Sequence, residues 1–377
     1  MKRYFESITD PRQEWKVEYN LPEIVVMTIC AVISGCEHWE DIVDFSRVKE
    51  QWFREQLGLE LKNGIASYDT FQRVFQLIKA EELEASFMSW VKSVTNKTKG
   101  EIISIDGKTV CGSKDERTKS IHMVSAWANA NRLVLGQIKT EEKSNEITAI
   151  PTLLEMLELK GCIVTIDAMG SQRDIAKKAM KSEADYVFGL KANQTSLHED
   201  TKLYFDHIDG SFKTVTKEKG HGRIETRKYF LETEIDWLPQ KQNWAGLSAI
   251  GMVKSKVLEK DILREDIRYF ITSLTDVKVF AKAVRAHWGI ENSLHWCLDV
   301  VFHEDACRTR KDNSAENFSV IRRIALNILK NFPANMSLAR KRRKCEYDPD
   351  FMAQVLLFNP FHAFAVATGS RQCRLQV

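Results

Sequence analysis

The stretches IISID (residues 102–106) and CIVTID (residues 162–167) decide how this chain folds. Each is a short, β-branched apolar run, the composition of a strand buried on both faces, and each ends in an aspartate. Working outward, residues 121–127 and 133–138 read as two more strands, joined by the turn-forming Asn129-Ala130-Asn131. From Asn145 onward, Ile147, Ile150, Leu153, Leu154 and Leu157 recur at helical spacing. Ser171 stands where it can cap a helix running to about Ser182, and YVFGL (residues 186–190) is a fifth strand.

The resulting order is β-β-β-α-β-α-β. A three-strand meander followed by crossover helices and parallel strands is the connectivity of a ribonuclease-H-like α/β fold, and this is the expected fold class. Other mixed α/β sheets share parts of that order. Residues 1–98 read as a small helical domain. Apolar positions recur at helical spacing over 23–34, 39–57 and 81–94, and Ser67 can cap a helix carrying Phe71, Val74, Phe75 and Ile78. A helix-turn-helix over 63–78 and plain helix packing both fit, the second being the commoner use. Residues 196–275 read as a β-rich insertion, with strands at 212–216, 225–233, 247–257 and 267–273 separated by charged turns such as Lys219-Gly220-His221-Gly222-Arg223. Helical spacing returns at Val277 and continues through Lys330. The expected division is a helical module (1–98), a catalytic α/β domain with its insertion (99–335) and a basic C-terminal tail (336–377).

At roughly 150 residues per domain, 377 residues suggest two or three domains. Nine Trp and nineteen Phe can build a substantial core, which excludes disorder as the dominant state. The net charge of +3 is too mild to name a partner, but residues 305–345 hold eleven Lys/Arg against three acids. That stretch is +8 and leaves the rest at −5. A basic region on an acidic body points to a polyanion such as nucleic acid, with a solvated helix face as the plain alternative. The eight Cys form no Cys-x-x-Cys pair and read as reduced thiols of a cytoplasmic protein. The first ten residues lack the apolar run of a signal peptide, and the apolar segment 24–35 is too short to span a bilayer, so no membrane association is expected.

Asp106 and Asp167 occupy equivalent places, the C-terminal ends of apolar strands, where open α/β sheets put their sites. If those strands run parallel and adjacent, both carboxylates reach one divalent ion, and hard oxygen ligands suit Mg²⁺ or Mn²⁺. The competing reading is that each aspartate shapes a turn with its nearby glycine. A third carboxylate comes from RAHWGIENSLHWCLD (residues 285–299), where His287, Glu291 and His295 fall four apart on one helical stripe. Glu291 then reads as a ligand flanked by imidazoles that touch phosphate or orient ligands. A metal trio of His287, Glu291 and His295 is disfavoured, because single-helix zinc sites place their two histidines four apart and here they are eight apart. A helix with one polar face is the bland reading.

These residues lie in longer motifs: SIDGKTV (104–110), QIKTEEKSNEITAIPTLL (137–154), TIDAMG (165–170), GLKANQ (189–194), HGRIETR (221–227) and HWGIENSLHWCLDVVFHEDACRTR (287–310), with DPRQEWKVEYNL (10–21) and GCEHWEDI (35–42) in the leading module. On these motifs, over roughly residues 5–345, the chain resembles DDE transposases of bacterial insertion sequences, in particular the H-repeat-associated, ISAs-type group. The resemblance implies that Asp106, Asp167 and Glu291 are the catalytic, metal-binding carboxylates for two Mg²⁺ (or Mn²⁺) ions. It implies cleavage and strand transfer on double-stranded DNA at element ends and target, and a homodimer on the DNA, cytoplasmic and nucleoid-associated when bound. Lys108, Arg285, His287, Arg308, Arg310 and Lys311 are the expected DNA-binding side chains.

Two features depart from the pattern. The wider family carries Tyr, Arg, Glu and Lys around the catalytic glutamate; here those places hold Val284, His287, Glu291 and Leu298, so His287 or Arg285 is expected to substitute. Residues 358–377 do not resemble the group's usual ending, which raises a frameshifted or read-through tail. Two alternatives stand beside the transposase reading: a ribonuclease-H-like nuclease without strand transfer, and a decayed, non-catalytic copy acting as a DNA-binding protein.

Overall fold

The computed structural model describes residues 1–95, 99–114, 119–140, 146–207, 214–220, 222–260 and 262–358. The chain opens with five helices: α1 (Leu21–Ile33), α2 (Trp39–Val48), α3 (Glu50–Leu57), α4 (Tyr68–Leu77) and α5 (Ala80–Val94). Asn20 caps α1 by accepting from the Glu23 N–H, and Ser67 caps α4 by accepting from the Thr70 N–H, as its spacing predicts. The helical run expected over 39–57 is broken at Lys49 into α2 and α3. The face of α4 that carries Phe71, Val74 and Phe75 is fully buried, and Trp39 lies 5.1 Å from Phe75 and 5.2 Å from Phe318. Of the two readings of 63–78, packing is the one these contacts realise.

The sheet begins with β1 (Ile102–Thr109), β2 (His122–Ala128) and β3 (Leu133–Thr140), an antiparallel meander. Helix α6 (Glu146–Met156) leads to β4 (Ile163–Ile166), and α7 (Arg173–Lys181) leads to β5 (Asp185–Leu190). Strand β4 pairs in parallel with both β1 and β5. After α8 (Thr195–His207) come β6 (Thr214–Gly220), β7 (Arg223–Glu232), β8 (Ala249–Glu259) and β9 (Ile262–Thr272). Part of the strand expected at 212–216, and His221 of the expected charged turn, fall outside the described residues.

The expected insertion does not form a body of its own. Strand β9 pairs antiparallel with β5, giving one nine-stranded sheet in the order β3-β2-β1-β4-β5-β9-β8-β7-β6. Its first five positions hold the ribonuclease-H-like order. The core built from α6, α7 and α8 covers one face, including Leu153, Ile175 and Phe205. Helix α9 (Val277–Ile290) covers the other with Phe280, Ala283 and Val284. It can lie close because a Cβ on Gly251 would fall 2.4 Å from the Phe280 ring. A π-helical turn (Glu291–His295) and α10 (Trp296–Val300) follow.

The chain then returns to its beginning. Helices α11 (Ser314–Asn331), α12 (Leu338–Tyr347) and α13 (Pro349–Leu357) share one apolar core with α1–α5 and with Trp127 and Val134 of the sheet. The segment expected as a basic tail is thus helical through Leu357, and residues 359–377, on which the frameshift reading rests, lie outside the described residues. Nor is the +8 stretch a surface patch throughout. Arg322, Arg323, Lys341 and Arg342 are all buried, at 0–6 % exposure. None of the seven cysteines among the described residues is in a disulfide. No helix among the described residues is long and apolar enough to cross a membrane.

Arg323 and Glu304 form a fully buried ion pair at 2.9 Å. Burial alone would raise the Glu304 carboxyl, but the charges of Arg323, Lys108 and Arg322 outweigh it and hold it at about 2. An unfolded glutamate titrates near 4.3, so this contribution is complete above about pH 4.5 and drains away as pH falls toward 2. Glu304→Gln leaves the Arg323 charge buried and unpaired, which is expected to cost about 3–5 kcal/mol at pH 7. Urea unfolding of wild type and variant checks this, and the gap between the two should narrow below pH 4.5.

Candidate active site

Asp106 lies within β1, and Asp167 is the first residue after β4. In the parallel pairing Ile105 faces Ile166, so the two aspartates stand side by side just past the last pair of the ladder. The turn reading holds in part for Asp167, whose Oδ1 accepts from the N–H groups of Met169 (3.0 Å) and Gly170 (3.1 Å). It fails for Asp106, because β1 continues to Thr109. Gly107 is needed for close approach: a Cβ there would fall 2.2 Å from His122 Nε2 and 2.4 Å from Glu146 Oε1, a pair that are themselves 2.6 Å apart. Ser171 does not cap α7 with its side chain; its hydroxyl donates toward the carbonyls of Asp167 and Gly189, tying the end of β4 to β5.

Glu291 arrives from α9, at the start of the π-turn. His287 Nδ1 lies 2.9 Å from Thr165 Oγ1, which fixes α9 over β4. All three carboxylates line one cavity of about 400 Å³, together with Lys191, Arg268, His287 and Trp288. His295 stands beside them, its Nδ1 3.5 Å from Glu291 Oε2 and 3.7 Å from Asp106 Oδ2. Ligand atoms of Asp106, Glu291 and His295 all fall within 4.8 Å of one another. This donor set, carboxylate oxygens converging from separate elements, fits a divalent cation.

The charges are uneasy together. Burial, then the charges of Glu291 and Asp167, push the Asp106 carboxyl up to about 8. The more exposed Glu291 is held below the usual carboxylate range, first by its contact with the His295 imidazole. Burial depresses His287 to about 4, so that ring stands neutral near pH 7.

The expected DNA contacts divide. Lys108 is turned inward, with its Nζ 2.8 Å from both Asp299 and Asp305 and 3.4 Å from Glu304. Arg285 forks both carboxylate oxygens of Glu218 at 2.7 and 2.8 Å. Each has found carboxylates of the chain itself. His287 lines the cavity but spends one nitrogen on Thr165. Arg308 and Lys311 are exposed, while Arg310 donates from Nε to the Gly112 carbonyl at 2.9 Å. These last three line a second cavity with His38 and Gln72, between the leading helices and the loop before α11. Sequence reasoning passed over Lys191, although GLKANQ carried it, and the rim pair in which Arg268 lies 4.5 Å over the Trp288 ring.

The raised Asp106 has a consequence for stability. An unfolded aspartate ionises near 3.9, so between about pH 4 and 8 the folded, metal-free chain holds a proton that the unfolded chain releases. Stability therefore falls as pH rises through that window. Asp106→Asn is expected to stabilise the metal-free protein at pH 8, with the gain vanishing toward pH 4. Denaturant melts at the two pH values measure it.

Comparison with known proteins gives this geometry its family. A family model described as "DDE_Tnp_1-associated" matches residues 2–91, and one described as "Transposase DDE domain" matches residues 97–328. The chain is 42% identical over 371 residues to "Putative transposase YncI" of Escherichia coli O157:H7, covering 94% of this chain and 93% of that one. It is 41% identical over 373 residues to "H repeat-associated putative transposase YhhI" of Escherichia coli strain K12, covering 94% and 97%. Among solved structures, a piggyBac transposase synaptic complex with hairpin DNA aligns at a TM-score of 0.44 and 10% identity, over 97% of this chain and 82% of that one. The paired aspartates thus sit in a chain that belongs to the DDE transposases, enzymes that act on DNA.

Proposed function

We propose that this chain is the transposase of an insertion sequence, performing Mg²⁺- or Mn²⁺-dependent strand cleavage and strand transfer at the element's ends, with Asp106, Asp167 and Glu291 as its catalytic carboxylates. The observation that carries this reading is the side-by-side placing of Asp106 and Asp167, just past the last pair of the parallel β1–β4 ladder, in the cavity that Glu291 also lines. Two divalent ions held there would supply Lewis-acid charge neutralisation for in-line displacement at phosphorus, the attacking group being a water and later a 3′-hydroxyl.

The chain's own work is positioning. Asp106 and Asp167 are fixed by the β1–β4 register, and Asp167 keeps one oxygen on backbone N–H groups while the carboxylate faces the cavity. His287, neutral and anchored on Thr165, holds α9 and hence Glu291 over the strand ends. Lys191 and Arg268 stand where they can meet phosphate oxygens entering the cavity, and Arg308 and Lys311 offer further cations at the second cavity. Such contacts position a duplex without reading its sequence. A homodimer would bring two element ends together.

Asp106→Asn, Asp167→Asn and Glu291→Gln are each expected to lower Mg²⁺-dependent cleavage of element-end DNA by at least about 10³-fold, with the circular dichroism spectrum unchanged. Joining of a pre-cut 3′-hydroxyl end should disappear in parallel. A wild-type protein that cuts but never joins is a nuclease instead, and one that binds DNA without cutting at any Mg²⁺ or Mn²⁺ concentration overturns the enzymatic reading.

A further inference from the structure

We infer that His295 is a metal ligand, its Nδ1 joining the carboxylates of Asp106 and Glu291 around one divalent cation. The inference rests on the metal-dependent reading above and adds a nitrogen to a site otherwise made of oxygen.

Three observations carry it. The first is spacing. Nδ1 stands 3.5 Å from Glu291 Oε2 and 3.7 Å from Asp106 Oδ2, at or beyond the limit of a hydrogen bond. Around an octahedral ion with ligands 2.0–2.1 Å away, neighbouring ligand atoms lie roughly 3 Å apart and opposite ones roughly 4 Å apart. The three donor groups, with ligand atoms all within 4.8 Å of one another, stand close enough for small side-chain shifts to bring them onto one ion.

The second is orientation. His295 is 6 % exposed, and its Nε2 is turned into the protein with no hydrogen-bond partner. The groups that face its other nitrogen are the two carboxylates. His287 differs, since its Nδ1 is spent on Thr165.

The third is the backbone. The π-turn begins at Glu291 and ends at His295, closed by the Trp296 N–H on the Glu291 carbonyl. Single π-turns inside helices are rare and gather at functional sites. This one delivers its first and last residues to the same spot. An imidazole nitrogen also alters the ion the site favours, because it raises affinity for Mn²⁺ more than for Mg²⁺, which prefers oxygen.

The test uses the full-length, metal-free protein and Mn²⁺ alone. Electron spin echo modulation of the bound Mn²⁺ should reveal a directly bonded histidine nitrogen in the wild type, and ¹⁵N-histidine labelling should change its pattern. That measurement needs no variant, so it stands even if a substitution unfolds the chain. The nitrogen signal should vanish in His295→Asn and persist in His287→Asn, and Mn²⁺ affinity should fall about tenfold or more in His295→Asn. The ratio of Mn²⁺ to Mg²⁺ affinity should fall with it. Mn²⁺ that binds in an Asp106-dependent way but couples to no histidine nitrogen overturns the assignment of His295 alone, as does a signal that survives His295→Asn. Mn²⁺ binding that is indifferent to Asp106→Asn overturns the site reading on which the inference rests.

Discussion

Carboxylates held together against their mutual repulsion are the constraint that the rest of this molecule answers to. Left free, Asp106, Asp167 and Glu291 would move apart into solvent. The fold denies them that. The β1–β4 register sets the first two side by side, backbone N–H groups pin one oxygen of Asp167, and the His287–Thr165 contact ties α9 to the sheet beneath. Phe280, packed over Gly251, seats the same helix further along. Because close-packed interiors do not yield, burial and, after it, the neighbouring charges appear as a proton affinity raised at Asp106 instead of as a displacement.

A second charge cluster lies next to the first and has the opposite character. Lys108, two residues after Asp106, is surrounded by Asp299, Glu304 and Asp305, and Glu304 passes the connection to Arg323 on α11. Strand β1 is thereby tied to the helices that close the chain, and those helices share their apolar core with α1–α5. Part of the basic stretch is this mortar. With Arg322, Arg323, Lys341 and Arg342 buried, the cations left fully exposed within it are Arg308, Lys311, Arg340 and Arg343. A charge count along the sequence weighs these two groups equally; only the exposed group can release counterions from a nucleic acid.

The neighbouring places of Asp106 and Asp167 were legible because apolar runs carrying an Asp tend to lie side by side in a parallel sheet, and the approach of Glu291 to the same cavity was legible from its spacing and its motif. What escaped depends on pairing across long separations. Nothing local in residues 262–272 says that β9 will extend the sheet from β5. Nothing in Arg285 names Glu218, 67 residues away, as its partner. Lys108 looked like a phosphate contact because it follows Asp106 by two; the acids that claim it lie nearly two hundred residues downstream. Local periodicity reports which face of an element is apolar, and it is silent on which distant charge will meet a cation there.

The π-turn is the one local feature that could have been read and was not. On a regular helix, a stripe of residues spaced strictly by four drifts about 40° around the axis at each step. Two such stripes run through this segment. His287, Glu291 and His295 are polar, while Ile290, Leu294 and Leu298 are wholly buried. Carried on a regular helix, both would curl away from the surfaces they serve. A wider turn absorbs the drift, keeping the acid and the imidazole toward the strand ends while the three apolar side chains stay in the core shared with α11. The strict spacing of four on two neighbouring faces is therefore the sequence signature of the distortion. It also explains why histidines eight apart, a poor zinc pattern on a straight helix, come to serve separate ends: His287 on the sheet, and His295 beside Asp106 and Glu291.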